Sequence, residues 1–432
     1  MPRTAVAELI VDGTMKGLPQ GLAPIPLKRI GEQGWNLLRE DLPLPAAILK
    51  RSIVAHNSDW MRRFLALSGA KLCPHGKTTM APQLFHQQLD DGAWGITLAT
   101  MQQVRAAREF GISRILLANE LLGRTSIDWV LDELQRDASF EFYCLVDSVA
   151  GVERLVERAR ERGATRPLDV LVEVGVPGKR CGCRDVESAM AVARAVKAAA
   201  PWLRLSGIEG FEGVITGRDD DDRDRQVREF LAVMVAVARG CDAEDLFAPG
   251  RVILTAGGSC FYDMVLDGLA GVGLSREVEL VIRSGCYLTH DSAILNLYYE
   301  QLLQRCPAAR DLGRGLQPAL EVWSYVMSRP EPTRVILGLG KRDASFDADL
   351  PLPVAVFRPG RDSQPRPLAR DHRVVGLNDQ HALVDVPADS DLAVGDMVAC
   401  GISHPCTTFD RWQFLAVVDD DYNVVDGVRT FF

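Results

Sequence analysis

LDVLVEVGVPGKRCGCRDVESAMAVARAVKAAA, residues 168–200, reads as a β-rich run, a Gly-rich turn and a helix in succession. The same unit recurs from about residue 68 to 287. Strands are expected at AKLCP (70–74), GITLA (95–99), RILLA (114–118), EFYCLV (141–146), LDVLVEV (168–174), LRLSGIE (203–209), RVILTA (251–256) and VELVIRS (278–284). The first of these are nearly continuously apolar, as strands buried on both faces should be. Between them TMQQVRAAREFG, WVLDELQRD and VERLVERARERG carry the helical period, and Gly111 and Gly163 follow as C-terminal caps. A doubly wound open sheet would have similar content. Eight units is the number that closes a (β/α)8 barrel, and that is the fold expected.

After about residue 300 the texture changes. EVWSYVMSRP, RVILGLG, LPVAVFRP, HRVVGLNDQHALVDV and DMVACGIS alternate apolar with polar residues between Gly, Pro, Asn and Asp. That pattern predicts an antiparallel β-domain. The expected organisation is an N-terminal segment at 1–45 packing on the β-domain, a barrel at 46–300 and the β-domain at 301–432.

The 432 residues carry a net charge of −9, with 47% hydrophobic and 25% charged residues, which is ordinary for a globular chain. No basic stripe with interleaved aromatics points to nucleic acid. MPRTAVAELIVDGTMKG lacks the pattern of a signal peptide, and no apolar run approaches membrane-spanning length. The 10 cysteines are scattered through a large acidic chain, so reduced thiols and a cytoplasmic protein are expected.

LCPHGKTTM (72–80) sets His75, Lys77 and Thr78 just past the first strand, on the rim where a barrel builds chemistry. A lysine there, partly desolvated or beside another cation, is a competent amine. PHGKT, preceded by a helix containing His56 and Asn57 and followed by the barrel pattern, resembles the alanine-racemase-like (fold-type III) pyridoxal-phosphate enzymes. Within that group the closer match is the D-serine dehydratase and D-threonine aldolase family. The resemblance implies that Lys77 is the Schiff-base lysine and that pyridoxal phosphate is the cofactor.

Other rim segments extend the resemblance. VEVGVPGKRCGCR (172–184) places Arg180 where the family brings an arginine to the cofactor ring, whereas Cys181 and Cys183 read as buried or half-buried thiols. GIEGFEGV (207–214) has Phe211 where the family usually has tyrosine, so a hydroxyl role is lost while packing on the cofactor remains. In TAGGSCF (255–261), Gly257, Gly258 and Ser259 can offer backbone N–H groups and a hydroxyl to a phosphate at a helix start. RSGCYLTHD (283–291) adds Gly285, Cys286 and Tyr287, which resemble the family's phosphate-side Gly-x-Tyr.

CGISHPCTTFDRW (400–412) holds His404 and Cys406 at H-x-C spacing, and imidazole with thiolate is a good zinc donor set. HPCTTFDRW resembles the His-x-Cys zinc pair of D-serine dehydratases, where D-threonine aldolases typically have His-x-Asp. The resemblance implies an open catalytic zinc or other divalent-metal site over the barrel mouth, with Cys400 and Asp410 as further candidate partners. It also implies a homodimer, and a small D-amino acid as substrate.

The reaction so implied is β-elimination from D-serine or a related D-3-hydroxy amino acid. Lys77 would take the Cα proton while the metal draws off the β-hydroxyl, leaving a 2-oxo acid and ammonia. Retro-aldol cleavage to glycine and an aldehyde is the nearest alternative, and a non-catalytic cofactor-binding protein a more distant one. An NAD-type oxidoreductase is disfavoured, because no G-x-G-x-x-G opens a βαβ unit with an acid about 20 residues later.

Overall fold

The computed structural model describes residues 4–432. They form two compact units, one of Phe64–Lys77 and Gly92–Gly285, the other of the residues up to Arg63 with Thr78–Asp91 and Cys286–Phe432.

All eight expected runs of the first unit are strands: β1 (Lys71–Leu72), β2 (Ile96–Leu98), β3 (Arg114–Glu120), β4 (Glu141–Val146), β5 (Leu168–Val174), β6 (Leu203–Gly210), β7 (Val252–Ala256) and β8 (Val278–Ile282). They lie in sequence order in one parallel sheet whose β8 returns to β1, with Val281 opposite Lys71. Closure is completed where His75 bridges Thr97 and the Trp94 N–H donates to the Leu72 carbonyl at 2.7 Å. The expected barrel is therefore the fold. Its interior packs Cys73, Leu116, Leu145, Leu171, Ile253 and Val281, each large aliphatic among them contributing about 1.5–3 kcal/mol by burial. Gly207 is required where β6 meets β7, since a Cβ there would stand 1.9 Å from the Ile253 carbonyl oxygen.

The helix Val186–Ala198 shows how one unit is punctuated. The Asp185 side chain accepts the Ser188 N–H at 2.7 Å and caps the start. Ala189, Met190, Ala193 and Val196 then face inward at spacings of one, three and four residues.

In the second unit, Leu320–Glu331 pairs antiparallel with both Met397–Gly401 and Ala46–Lys50, so that Val322 lies opposite Cys400 on one side and Ala47 on the other. Met397–Gly401 pairs in turn with Leu352–Phe357, and Phe414–Val418 with Val424–Arg429. Leu18, Leu27, Ile30 and Leu37 pack with Trp323, Met397 and Phe414 in one core. The units do not divide at 45 and 300. Ala46–Lys50 satisfies its backbone groups in the antiparallel sheet, which draws the chain as far as Arg63 into that unit. Among the described residues no helix is long and apolar enough to cross a membrane.

Candidate active site

Lys77 sits in a single turn, Gly76–Thr78, directly after β1. The preceding His75 is fixed by its N–H, which donates to the Arg283 carbonyl at 3.2 Å, while its buried Nδ1 has no partner among the described residues. Burial first, then the positive charges of Lys77, Arg283 and Arg180, holds His75 well below the usual imidazole range. It is a neutral ring among three cations. Arg180 lies exposed with its guanidinium 4.8 Å from the centre of the Phe211 ring, so Phe211 offers the arginine a cation–π contact where a tyrosine hydroxyl is lacking.

Arg283 is a component the sequence reading missed. It is 1% exposed and donates to Thr255 Oγ1 at 2.8 Å, to the Gly210 carbonyl at 2.9 Å and to Glu209 Oε1. Its Nε and the Glu209 Oε2 are buried without a partner among the described residues. Its only sequence signal was an arginine at the inward-facing end of a buried strand, a position where charge persists only when paired. The cationic surroundings of Lys77 and the unmatched polar atoms of His75 and Arg283 fit a phosphorylated aldehyde such as pyridoxal phosphate.

The loop expected to hold a phosphate is built differently from that expectation. Gly257, at φ +86°, and Gly258 turn their N–H groups onto the Glu212 carboxylate, each at 2.9 Å. Glu212 is fully buried and uses both oxygens in this way. These two donors are thus spent on the chain's own anion. On this rim the hydroxyls of Ser259 and Ser284 lie 3.5 Å apart, with Gly285 next in the chain. Tyr287, in the other unit, is buried and hydrogen-bonded to Gln88, and burial pushes its phenol up.

A second group the sequence reading missed lies at the ends of β3, β4 and β5. Glu120, Asp147, Glu173 and Cys181 bring their donor atoms within 4.8 Å of one another. Burial, followed by the negative charge of Glu209, drives Glu173 up so that it is protonated at neutral pH. Cys181 is exposed, contrary to the expected burial, whereas Cys183 is buried and donates to the Asp147 carbonyl at 3.2 Å.

In the sheet unit, His404 and Cys406 lie where Met397–Gly401 turns into the short helix Cys406–Phe409. The His404 N–H donates to Ser345 Oγ at 3.0 Å and Thr408 Oγ1 donates to the His404 carbonyl at 3.1 Å, which fixes the turn. His404 Nδ1 is held by Asp347 Oδ2 at 2.7 Å, and Thr407 steadies the other carboxylate oxygen at 2.6 Å. This leaves Nε2 as the imidazole atom for a metal, an orientation typical of ligating histidines. The Cys406 sulfur lies 3.3 Å from Thr78 Oγ1 and 3.8 Å from the Cys286 sulfur. Cys286 first, then His404 and Thr78, holds Cys406 well below the usual thiol range, and Cys406 foremost raises His404 to about 9. A thiolate beside an oriented imidazole fits a soft divalent metal.

The further candidates fall away. Cys400 is fully buried in its strand with its thiol pushed up to about 12 by burial, and Asp410 pairs with Arg411 at 2.8 Å. His56 and Asn57 have structural work: Asn57 donates to the Leu288 carbonyl at 3.0 Å and the Gln317 carbonyl at 2.7 Å, pinning the segment that carries Cys286.

Residues 319–418 match the family described as "Putative serine dehydratase domain", and residues 50–262 the alanine racemase N-terminal domain. The 3-hydroxy-D-aspartate aldolase of Paracoccus denitrificans (strain Pd 1222) is 26% identical over 360 residues, covering 82% of this chain and 83% of its own. The D-threonine aldolase of Arthrobacter sp is 25% identical over 399 residues, 90% of this chain and 92% of its own. The D-threo-3-hydroxyaspartate dehydratase from Delftia sp. HT23 shares the fold, with a TM-score of 0.70 at 21% identity over 92% of this chain and 99% of that one.

Proposed function

The chain belongs to the D-serine dehydratase and D-threonine aldolase family of alanine-racemase-like, fold-type III pyridoxal-phosphate enzymes, and from that membership we propose that it is a lyase eliminating the β-hydroxyl of a D-3-hydroxy amino acid. The products would be a 2-oxo acid and ammonia. Pyridoxal phosphate, held through Lys77, would supply the electron sink for charge at Cα, and a divalent metal at His404 and Cys406 a Lewis acid for the β-oxygen.

The chain's own residues do the rest. Lys77 Nζ would take the proton from Cα on one face. Arg180, propped on Phe211, offers a fixed fork to a carboxylate or the ring oxygen. Neutral His75 adds no fourth charge to that cationic setting.

One observation carries the reading. The sulfur of Cys406 lies 3.3 Å from the hydroxyl of Thr78, the residue next to Lys77 in the chain. A soft metal donor beside the motif that supplies the Cα base suits departure of a β-substituent.

Aldol cleavage keeps the same groups and breaks Cα–Cβ, and the aldolases among the relatives favour it. Incubation with D-serine, D-threonine and D-threo-3-hydroxyaspartate in turn separates the two. A 2-oxo acid with stoichiometric ammonia is the expected result. Glycine with an aldehyde or glyoxylate, and no 2-oxo acid from elimination, would replace the dehydratase reading with the aldolase.

A further inference from the structure

Cys286 opens the segment after β8, where its sequence position suggests the phosphate side. Its thiol instead faces that of Cys406 at 3.8 Å. A disulfide requires about 2.05 Å, so the pair is not bonded. Two sulfurs that each stand about 2.3 Å from one tetrahedral ion are about 3.8 Å apart, because the tetrahedral angle sets the chord between them.

A thiol–thiol hydrogen bond gives a similar spacing, so the surroundings decide. Thr78 Oγ1 reaches both sulfurs, at 3.3 Å from Cys406 and 4.0 Å from Cys286. His404, two residues before Cys406, has Nδ1 committed to Asp347 at 2.7 Å, with Nε2 as its remaining ring nitrogen. The backbone at Cys286 is held as well, its carbonyl accepting the His290 N–H at 2.7 Å. The two sulfurs thus have the spacing one ion would impose, and they and the oriented imidazole are carried by pinned elements.

We propose that Cys286 is a third protein ligand, completing with His404 and Cys406 a Cys2His metal site that keeps one position open. This rests on the metal reading above and deepens it. Three protein ligands with an open fourth position is the form of a catalytic rather than a structural zinc site. Two thiolates also set selectivity, favouring zinc over magnesium and manganese, which take oxygen donors.

X-ray absorption at the zinc edge of the holoenzyme loaded with one equivalent of zinc counts the sulfur neighbours directly. Two sulfurs at about 2.3 Å are expected, falling to one in both Cys286→Ser and Cys286→Ala. Competition with a chromophoric chelator should show zinc affinity lowered on the order of 100-fold or more in either variant, beyond the loss of an outer-shell partner. A single sulfur around bound zinc in the unsubstituted protein overturns the role of Cys286 and leaves His404 with Cys406 standing. Failure to retain zinc at one equivalent overturns both. The count on the unsubstituted protein does not depend on either variant folding.

Discussion

The loop after β7 and the turn at His404 both carry residue types suited to a ligand, and the structure completes them in opposite ways. At the loop, Glu212 accepts from Gly257 and Gly258 and closes the anion position with the chain's own carboxylate. At the turn, Asp347 orients His404 from behind and Cys286 brings a second sulfur toward Cys406, so the neighbours add donors instead of using them. The partners lie 45 and 46 residues away in the first case, and 57 and 120 in the second. A short motif states what a segment is able to bind. Whether that capacity is already used depends on a residue the motif does not contain.

The comparison breaks most visibly at Glu212. Replacing it with alanine strands two buried N–H donors, each costing about 1–3 kcal/mol, so Glu212→Ala should lose about 2–6 kcal/mol of unfolding free energy in a urea melt. Glu212→Gln, which keeps one accepting oxygen, should lose less. An alanine variant as stable as the parent that binds pyridoxal phosphate more tightly would show the two donors serving a phosphate after all.

The barrel was legible because its signal is repeated. All eight strands could be read from short apolar runs with helical stretches between them, and LDVLVEV matches β5 residue for residue. PHGKT singled out Lys77 as a candidate, and HPC singled out His404 with Cys406, since each motif is contiguous. Arg283, Glu209 and Glu212 were not, although each lay inside a quoted segment. Their roles come from pairing across β6, β7 and β8, which no local pattern reports. Cys286 was read as part of Gly-x-Tyr for the same reason. The boundary at 45 failed because a five-residue strand, Ala46–Lys50, belongs to a sheet whose other strands begin at Leu320.

Asp347 tests the open side of the comparison with a smaller effect. Asp347→Asn keeps an oxygen to accept from His404 Nδ1 but removes the negative charge that favours donation. Zinc affinity should fall about 10-fold, or about 1.4 kcal/mol, in the same chelator competition. The sulfur count around zinc should not change, since the thiols are not touched. A loss of sulfur neighbours in this variant would mean that Asp347 holds the turn itself and not the imidazole alone.

Glu173 gives the smallest and most specific test, because the acidic rim around it is a third way of completing a cluster. Burial and the charges of Glu209, Glu120 and Asp147 raise its pKa, and a carboxyl raised in the fold takes up a proton on folding. Its contribution is complete below about pH 4.3, the unfolded value, and drains away as pH rises toward the folded one. Glu173→Gln imitates the protonated form and is indifferent to pH. The variant should therefore melt with the parent at pH 4 and above it at pH 8, by about 2 °C. An equal melting difference at both values would assign the effect to packing. A variant less stable at pH 8 would mean that Glu173 is ionised there and held by a cation, which would make this rim a charged site in its own right.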